Sequence, residues 1–271
     1  MSDAIQVPWN LQVPEADIYL VGYGNRLPND FTLEMLAVLR RCKRVFGVPA
    51  IHAPEFGIPS GESLVHLYSL ERRRTDTYEE MAEVVLDAAL ADAPVALATY
   101  GSAMVGTTPT HRILELAPQR GLTVHVSAAV SSFDGIWADF NIDPCLGFEV
   151  WEATAFVRLA IVPDPRTNLL LAQVPVLNVT GGIDPTTMKF ERSTTVTELR
   201  EHLLRYYPPD HEVHFDTTGS GAGPHLTGPD IETVALRDLD HSGRKRMNTL
   251  FMPRVASAEL DFERPAHAAA A

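Results

Sequence analysis

Residues 99–144 constrain the fold more than any other stretch of the chain. They contain, in order, the end of an apolar strand (95–100), a loop of small residues, a helix (110–119), a second strand (122–127), a second small-residue loop and another helix. Loops of this kind at the carboxyl ends of parallel strands are where open α/β sheets bind ligands. The pattern therefore predicts a parallel sheet, with the two loops on neighbouring strands facing each other across one crevice.

The rest of the chain predicts a second lobe of different character. Strands and helices alternate up to about residue 145, whereas the second half has more strands and fewer helices, which favours a mixed sheet. The predicted fold class is α/β, with a parallel-sheet N-terminal lobe (17–145) and a mixed-sheet C-terminal α+β lobe (146–255), between an N-terminal tail (1–16) and a disordered tail (256–271). The other predicted elements are strands at 18–22, 44–48, 62–69, 168–176, 211–217, 231–236 and 249–252, and helices at 31–43, 76–91 and 195–207 that open at Asp30, Asp76 and Thr195.

Charge and cysteine content exclude several functional classes. The formal net charge of −13 argues against a nucleic-acid partner, because binding to phosphates draws on clustered Lys and Arg. Two cysteines, Cys42 and Cys145, make neither a disulfide framework nor a Cys-rich metal site. The sequence also contains no signal-like leader and no apolar run long enough to span a bilayer. We therefore expect a soluble cytoplasmic protein that does not bind membranes.

Several familiar motifs are present only in part. Gly22-x-Gly24 lacks the third glycine of a dinucleotide-binding loop and predicts a tight turn instead. The Gly-rich segment 219–224 lacks the Lys and Ser/Thr of a phosphate-binding loop and is typical of a flexible surface loop. His211 and His214 would point to opposite faces of a strand, so we expect structural roles and no metal site.

Five sequence runs, in order, resemble the tetrapyrrole-methylase superfamily. They are YLVGYGN, ATYGSAMV, VSAAVSSFDGIWADFNIDP, LLLAQV and NTLFMPR. The resemblance spans residues 17–254 and implies an S-adenosylmethionine (SAM)-dependent methyltransferase with two α/β lobes and the cofactor in the cleft between them. The family's cofactor loop usually reads Gly-His-Pro-Gly or Gly-Asp-Pro, where this chain has GSAM. Its second loop usually reads Pro-Gly-Val-Ser, where this chain has AAVS.

Within that superfamily the chain is most similar to the borosin peptide backbone α-N-methyltransferases. The similarity lies in RRTDTYEEM, TPTHR, FEVWEATAF, VPDPRTNLLLAQV and YYPPDHEV. It implies N-methylation of backbone amides in natural-product (RiPP) biosynthesis and a homodimer. Because no core peptide follows NTLFMPR, we expect a split type in which a separate precursor peptide is the substrate.

The borosin resemblance assigns roles to three residues. Methylating an amide requires removal of its proton and a fixed cation for the charge on its oxygen, because the nitrogen lone pair is delocalised. Arg74 and Tyr78 match the family's Arg-x-x-x-Tyr and lie one turn apart at a helix start. The resemblance implies imidate stabilisation by Arg74, proton transfer or acceptor orientation by Tyr78, and Tyr68 as the candidate second catalytic tyrosine. A guanidinium and a helix amino end beside Tyr78 would favour its phenolate.

The resemblance also indicates where SAM would bind. The residues it implies in the cofactor site are Tyr100, Gly101, Ser102, Val105, Gly106, Ser131, Ser132, Gln173 and Thr249. For Gln173 the alternative is an amide that caps the sheet edge. Two other functions remain open: a SAM-dependent methyltransferase with a small-molecule acceptor, and a degenerate SAM- or peptide-binding partner. A serine hydrolase is weakly supported, because the sequence has no Gly-x-Ser-x-Gly elbow and no base lies near Ser131 and Ser132.

Overall fold

The computed structural model describes residues 11–187, 189, 196–241 and 249–255. Two units divide the chain: the first takes Met1–Asn141, Val179–Glu191 and Thr218–Pro229, and the second takes Ile142–Asn178, Arg192–Thr217 and Asp230–Ala271. The predicted tail at 256–271, most of the tail at 1–16 and the predicted cap Thr195 lie outside the described residues.

The described elements are numbered in chain order. The strands are β1 (Ile18–Gly22), β2 (Arg26–Leu27), β3 (Arg44–Gly47), β4 (Glu62–Ser63), β5 (Val95–Thr99), β6 (Val124–Val126), β7 (Phe148–Glu152), β8 (Asn168–Ala172), β9 (Glu212–Thr217), β10 (Gly221–Ala222), β11 (Asp230–Ala235) and β12 (Thr249–Met252). The helices are α1 (Leu33–Arg41), α2 (Arg74–Asp92), α3 (Thr108–Leu116), α4 (Ser132–Asp139), α5 (Ala153–Arg158) and α6 (Val196–Leu203).

The first unit is built on a parallel sheet, as predicted. Its strand order is β4-β3-β5-β1-β6, and every pair is parallel. All five residues of β1 are buried, which explains why this strand is a continuous apolar run rather than an alternating one. However, β1 lies between β5 and β6. The expectation that the two small-residue loops follow neighbouring strands is therefore wrong, because the loop after β1 lies between them.

Local contacts shift several predicted boundaries in this unit. The helix predicted at 76–91 begins two residues earlier, because the Asp76 carboxylate pairs with the Arg73 guanidinium at 2.9 Å instead of capping. The strand predicted at 62–69 ends at Ser63 and is followed by the short 3-10 turn Val65–Leu67. The Gly-rich segment is not an unpaired loop, since Gly221–Ala222 pairs in parallel with β2.

The second unit contains the mixed sheet. Its strand order is β11-β9-β12-β8-β7, in which β7 and β8 are parallel and the other pairs are antiparallel. One sheet face and the helices α5 and α6 bury a core that includes Phe156, Leu199 and Phe215. The strand predicted at 168–176 ends at Ala172, where Gln173 adopts a left-handed conformation and starts a 3-10 turn. β7 and α5 were not predicted.

Candidate active site

Three loops meet at the carboxyl edge of the parallel sheet. A Cβ atom placed on Gly22, the last residue of β1, would lie 2.3 Å from the Gly101 carbonyl oxygen and 2.6 Å from the Ala129 Cβ. Gly101 follows β5 and Ala129 follows β6. Because Cβ atoms do not approach other atoms this closely, only glycine at position 22 lets the two predicted cofactor loops reach the end of β1.

The loop after β1 is fastened directly to the predicted cofactor loop. The Gly24 N–H donates to the Gly101 carbonyl at 3.1 Å, and the Gly101 N–H donates to the Gly24 carbonyl at 2.8 Å. Both glycines have a positive φ, +73° and +63°, which other residues rarely adopt. Beyond Gly101, the Ser102 carbonyl accepts from the Val105 N–H at 3.2 Å, and Gly106 has a φ of +66°. The four predicted cofactor residues of 101–106 therefore lie in one tight turn.

A buried carboxylate holds the loop after β1 in place. Asp30 is 4% exposed and accepts hydrogen bonds from the N–H groups of Asn25 (3.0 Å) and Arg26 (2.9 Å) and from the Arg26 guanidinium (2.8 and 3.0 Å). Burial alone would raise the pKa of Asp30, but these hydrogen bonds outweigh it and the pKa is lowered. The prediction that Asp30 caps α1 is wrong: its oxygens serve this loop, and Thr32 caps the helix.

The second predicted cofactor loop ends in a helix cap. The Ser131 hydroxyl accepts from the N–H groups of Phe133 (3.0 Å) and Asp134 (3.4 Å), and the Asp134 carboxylate accepts from the Ser131 N–H at 2.7 Å. This capping box opens α4 at Ser132. Capping accounts for the buried Ser131 hydroxyl, which makes a serine nucleophile there unsupported.

The three consecutive arginines before α2 have different partners. The guanidinium of Arg72 pairs with Glu80, and that of Arg73 pairs with Asp76. In the described part of the chain Arg74 has no carboxylate partner; its guanidinium donates to the Val179 main-chain carbonyl. Arg74 is also the first residue of α2, where no side chain caps the helix. The positive end of this helix and an unneutralised guanidinium therefore lie together.

Two tyrosines, Tyr68 and Tyr78, lie near Arg74 at the start of α2. The rings of Tyr68 and Tyr78 meet edge to face with centroids 6.2 Å apart. Tyr68 is 8% exposed, while Tyr78 is half-buried. Burial raises the pKa of Tyr68 far above its ordinary value, the Tyr78 and Tyr100 hydroxyls raise it further, and Arg74 opposes them. Tyr68 therefore keeps its proton at neutral pH.

Tyr100 links this cluster to the cofactor loop. It directly follows β5 and precedes Gly101, and the residue is 48% exposed. Its hydroxyl lies near enough to raise the pKa of both Tyr68 and the buried Tyr23, whose pKa is raised mainly by burial. The structure thus brings Arg74, Tyr68, Tyr78 and Tyr100 together in the first unit. Their catalytic and binding roles stay predictions.

Gln173 and Thr249 lie at one end of the second sheet. Leu171 of β8 pairs with Leu250 of β12, so the residues that follow Leu171 and precede Leu250 share an edge. Gln173 has a φ of +60° and Thr249 is 7% exposed. Both lie in the second unit, and their predicted contributions to cofactor binding stay predictions.

The two strand histidines have protein partners. His211 Nε2 lies 2.8 Å from the Pro253 carbonyl, and His214 Nδ1 lies 2.8 Å from the Thr233 hydroxyl. Within the described ranges, no three His, Cys, Asp or Glu residues are arranged to hold a metal ion, and no helix is long and apolar enough to cross a membrane.

Sequence reasoning missed three residues at this site. The sequence predicts Asp30 as a helix cap, although its spacing from Arg26 also permits the ion pair. Val179 and Gly182, which contact the Arg74 region, are more than 100 residues away from it in the chain. No local sequence pattern predicts a contact between residues so far apart in the chain.

Comparison with known proteins identifies the family. Residues 17–225 match the family model for tetrapyrrole (corrin/porphyrin) methylases. The chain belongs to this family. The resemblance noted in the sequence is thereby confirmed at the level of the superfamily.

Curated relatives of this tetrapyrrole methylase family member are borosin precursors. It is 31% identical over 204 residues to a methyltransferase/ribosomally synthesized type III borosin cyclic peptide precursor of Anomoporia bombycina, covering 72% of this chain and 23% of that protein. It is 33% identical over 203 residues to a type I precursor of Serendipita vermifera subsp. bescii, covering 72% and 47%. The chain therefore spans less than half of the length of each of these two relatives.

Solved structures of family methyltransferases share the fold. Uroporphyrin-III-C-methyltransferase from Thermus thermophilus is 19% identical with a TM-score of 0.58, covering 88% of this chain and 91% of that one. A complex of the Thermus thermophilus enzyme with S-adenosylhomocysteine is 16% identical with a TM-score of 0.58, covering 87% and 96%. These likenesses confirm the predicted two-lobed α/β fold.

Proposed function

We propose that this protein is a SAM-dependent methyltransferase that N-methylates backbone amides of a peptide. The observation that carries the proposal is the position of Arg74. Its guanidinium has no carboxylate partner in the described chain and lies beside Tyr68 and Tyr78, close to the loop that Tyr100 begins. The borosin relatives support the peptide as acceptor, because they are named as methyltransferases joined to a peptide precursor.

The loops at the carboxyl edge of the parallel sheet are the proposed cofactor site. Gly101 has no side chain and the partly exposed Ser102 has a small one, so the side chains of this turn leave room for a ligand. A Cβ placed on Gly101 would meet only the Asn25 amide oxygen, at 3.6 Å, which leaves open space above this residue. SAM, when bound, supplies a methyl group already activated on a sulfonium. The protein's part is to align the acceptor and activate its nitrogen.

Arg74 supplies the charge that amide activation requires. As the amide nitrogen loses its proton, negative charge develops on the acceptor carbonyl oxygen. A guanidinium has five N–H donors, and the contact with the Val179 carbonyl leaves others to bind that oxygen. The positive end of α2 adds to the same field. Arg74 thereby stabilises the imidate, whose nitrogen forms the new N–C bond.

The two tyrosines divide the proton chemistry. Tyr68 is held neutral by burial, so it acts as a hydrogen-bond donor and not as a base. Its ring packs edge to face on that of Tyr78 and holds the Tyr78 side chain in place. Tyr78, half-buried and one turn along α2 from Arg74, orients the acceptor amide or receives its proton. This division gives each of the three predicted catalytic residues a distinct role.

The proposed function also covers how the peptide is supplied, where the protein acts and its oligomeric state. We infer a precursor peptide supplied in trans, a cytoplasmic homodimer and a step in the biosynthesis of a ribosomally made natural product. The fused arrangement named for the relatives is the alternative for how the peptide is supplied. A small-molecule acceptor is the competing substrate class.

Methyl transfer to defined acceptors tests the proposal. Purified protein would be incubated with SAM carrying an isotopically labelled methyl group and a library of acetylated, amidated apolar peptides, with a porphyrinogen and catechol panel in parallel. We expect label in peptides, and fragmentation should place it on backbone nitrogen. Label in the small molecules alone would establish the competing substrate class. No transfer to any acceptor, or transfer only to side chains, would contradict amide methylation.

A further inference from the structure

A segment distant in sequence packs against the loop that carries Arg74. We define residues 179–187 as the strap. The Arg74 guanidinium donates to the Val179 carbonyl at its start, across 105 residues of chain. Both the strap and Arg74 belong to the first unit, although the chain passes through the second unit just before residue 179.

The strap lies against this loop with no room between their main chains. A Cβ atom placed on Gly182 would lie 1.8 Å from the Ser69 carbonyl oxygen and 2.7 Å from the Arg72 carbonyl oxygen. The turn it contacts is closed by a hydrogen bond from the Arg72 N–H to the Ser69 carbonyl at 3.3 Å. Any side chain at position 182 would therefore separate the strap from the turn that leads into Arg74.

The strap is also anchored on both sides of this contact. Ile183 is 7% exposed and belongs to the same buried cluster as Tyr68 and Met81. Beyond it, the Asp184 carboxylate accepts from the Thr186 N–H (2.9 Å) and from the hydroxyls of Thr186 (2.6 Å) and Thr187 (2.8 Å), which closes a turn. The Val179 carbonyl is thus fixed relative to the core that holds Tyr68.

We infer that the strap is a positioning element that holds the Arg74 guanidinium towards the acceptor carbonyl. A free arginine side chain samples many rotamers, and one fixed acceptor removes much of that freedom before substrate binds. Holding one edge of the planar guanidinium sets the direction of its remaining donors. The strap itself touches no reacting atom in this account. The inference rests on the proposed function, because it concerns the orientation of the group that stabilises the imidate.

Gly182→Ala tests the strap, with Gly228→Ala as its matched control. Gly228 lies in the same unit, and a Cβ there would meet nothing within 4 Å. Rates of peptide methylation would be expressed per S-adenosylhomocysteine-binding site, measured by calorimetry, so that loss of folded protein does not imitate loss of activity. We expect kcat to fall about 10- to 100-fold in Gly182→Ala, as for other small misplacements of a catalytic group, with KM and S-adenosylhomocysteine affinity within about twofold of wild type. Gly228→Ala should match wild type.

A second variant keeps the test decisive if Gly182→Ala does not fold. Ile183→Ala removes the anchor without forcing the two main chains apart, and we expect the same selective loss of kcat. Wild-type kcat in either folded variant would overturn the inference while leaving the proposed function intact. Failure of both variants to bind S-adenosylhomocysteine would also overturn it, because the strap would then serve the fold as a whole. A wild-type enzyme that methylates no peptide would refute the proposed function itself.

Discussion

The rings of Tyr68 and Tyr78 meet edge to face, with centroids 6.2 Å apart and planes at 83°. Tyr68 belongs to the buried cluster against which Tyr78 packs. One tyrosine is therefore anchored and keeps its proton, while the other remains half-buried at the first turns of α2. The site joins a fixed hydrogen-bond donor to a residue that a substrate can reach.

Removing the Arg74 guanidinium should slow methyl transfer strongly without weakening cofactor binding. We expect Arg74→Ala to lower kcat by about 100-fold or more, because preorganised charge stabilisation of an oxyanion is worth this much in other enzymes. Arg73→Ala is the matched control, since Arg73 pairs with Asp76 at the surface. Kinetics and calorimetry with S-adenosylhomocysteine measure both. Equal activity of the two variants would refute the role of Arg74.

The Tyr78 hydroxyl should matter for turnover and not for cofactor affinity. We expect Tyr78→Phe to lower kcat about 100-fold or more, in the range of general acid–base contributions. Tyr68→Phe should have a smaller effect of the same kind, because Tyr68 acts through Tyr78. Tyr206→Phe, a half-buried tyrosine of the second unit, is the control. A Tyr78→Phe enzyme with wild-type kcat would show that this hydroxyl neither orients the acceptor nor takes its proton.

Alkaline pH should destabilise the protein through three buried tyrosines. Burial raises the pKa of Tyr23, Tyr68 and Tyr207 above the unfolded value of about 10. Their stabilising effect is therefore fully present below pH ~10 and is lost as the pH rises above it, because the unfolded chain then releases protons that the folded chain retains. Three such groups give a slope of up to about 4 kcal/mol per pH unit in the free energy of unfolding.

Denaturant titrations between neutral pH and pH ~11 measure this slope. Tyr207→Phe is a suitable variant, because the Tyr207 hydroxyl has no hydrogen-bond partner among the described residues. Tyr207→Phe should reduce the dependence of the free energy of unfolding on pH by about a third and change the free energy of unfolding little at neutral pH. A slope that is unchanged in Tyr207→Phe would show that this hydroxyl ionises normally in the folded state.

Substitution at Gly22 should damage the fold and the cofactor loops together. The atoms that a Cβ would strike are the Gly101 carbonyl oxygen, the Ser102 Cα and the Ala129 Cβ, none of which lies at the end of a flexible side chain. We expect Gly22→Ala to lower the free energy of unfolding by about 1–3 kcal/mol, as overpacking does, and to weaken S-adenosylhomocysteine binding. Denaturation and calorimetry measure the two effects. Unchanged affinity in a folded variant would mean that the loops do not form the cofactor site.

Loss of the Asp30 carboxylate should loosen the loop after β1. Asp30→Ala leaves two main-chain N–H groups and the Arg26 guanidinium without their acceptor. We expect it to lower the free energy of unfolding by about 2–4 kcal/mol. Asp30→Asn retains an oxygen and should cost less. The pKa of Asp30 is lowered in the folded protein. Its contribution to the free energy of unfolding is therefore present at a pH above about 4, the ordinary pKa of an aspartate, and is lost as the pH falls below that value. Equal acid sensitivity of wild type and Asp30→Asn would contradict this.

Local patterns predicted the elements that local forces determine. The apolar run of β1 and the strand β12 have the bounds that the sequence predicts, because burial of consecutive apolar side chains leaves little choice. The helix at Arg74 was predicted too short, because Asp76 has two uses for its carboxylate, capping and pairing with Arg73. Sequence spacing does not decide between them.

The relation between the elements could not be predicted from spacing alone. In the sheet, β1 lies between β5 and β6. Strand order depends on which strands pair in the tertiary structure, and the local sequence of each strand would be the same in another order. The motif resemblance predicts Arg74 and Tyr78 as site residues, and their separation by one helical turn follows from α2. The contact between the strap and Arg74 could not be predicted from the sequence, because Val179 contacts Arg74 only after the chain has returned from the second unit.

Calorimetric titration of the wild-type protein with S-adenosylhomocysteine tests the central claim most directly. The converging loops at Gly22, Gly101 and Ala129 predict one site per chain with a dissociation constant in the micromolar range, despite the absence of the family's usual proline and glycine from these loops. The absence of binding at millimolar ligand would contradict a SAM-dependent methyltransferase.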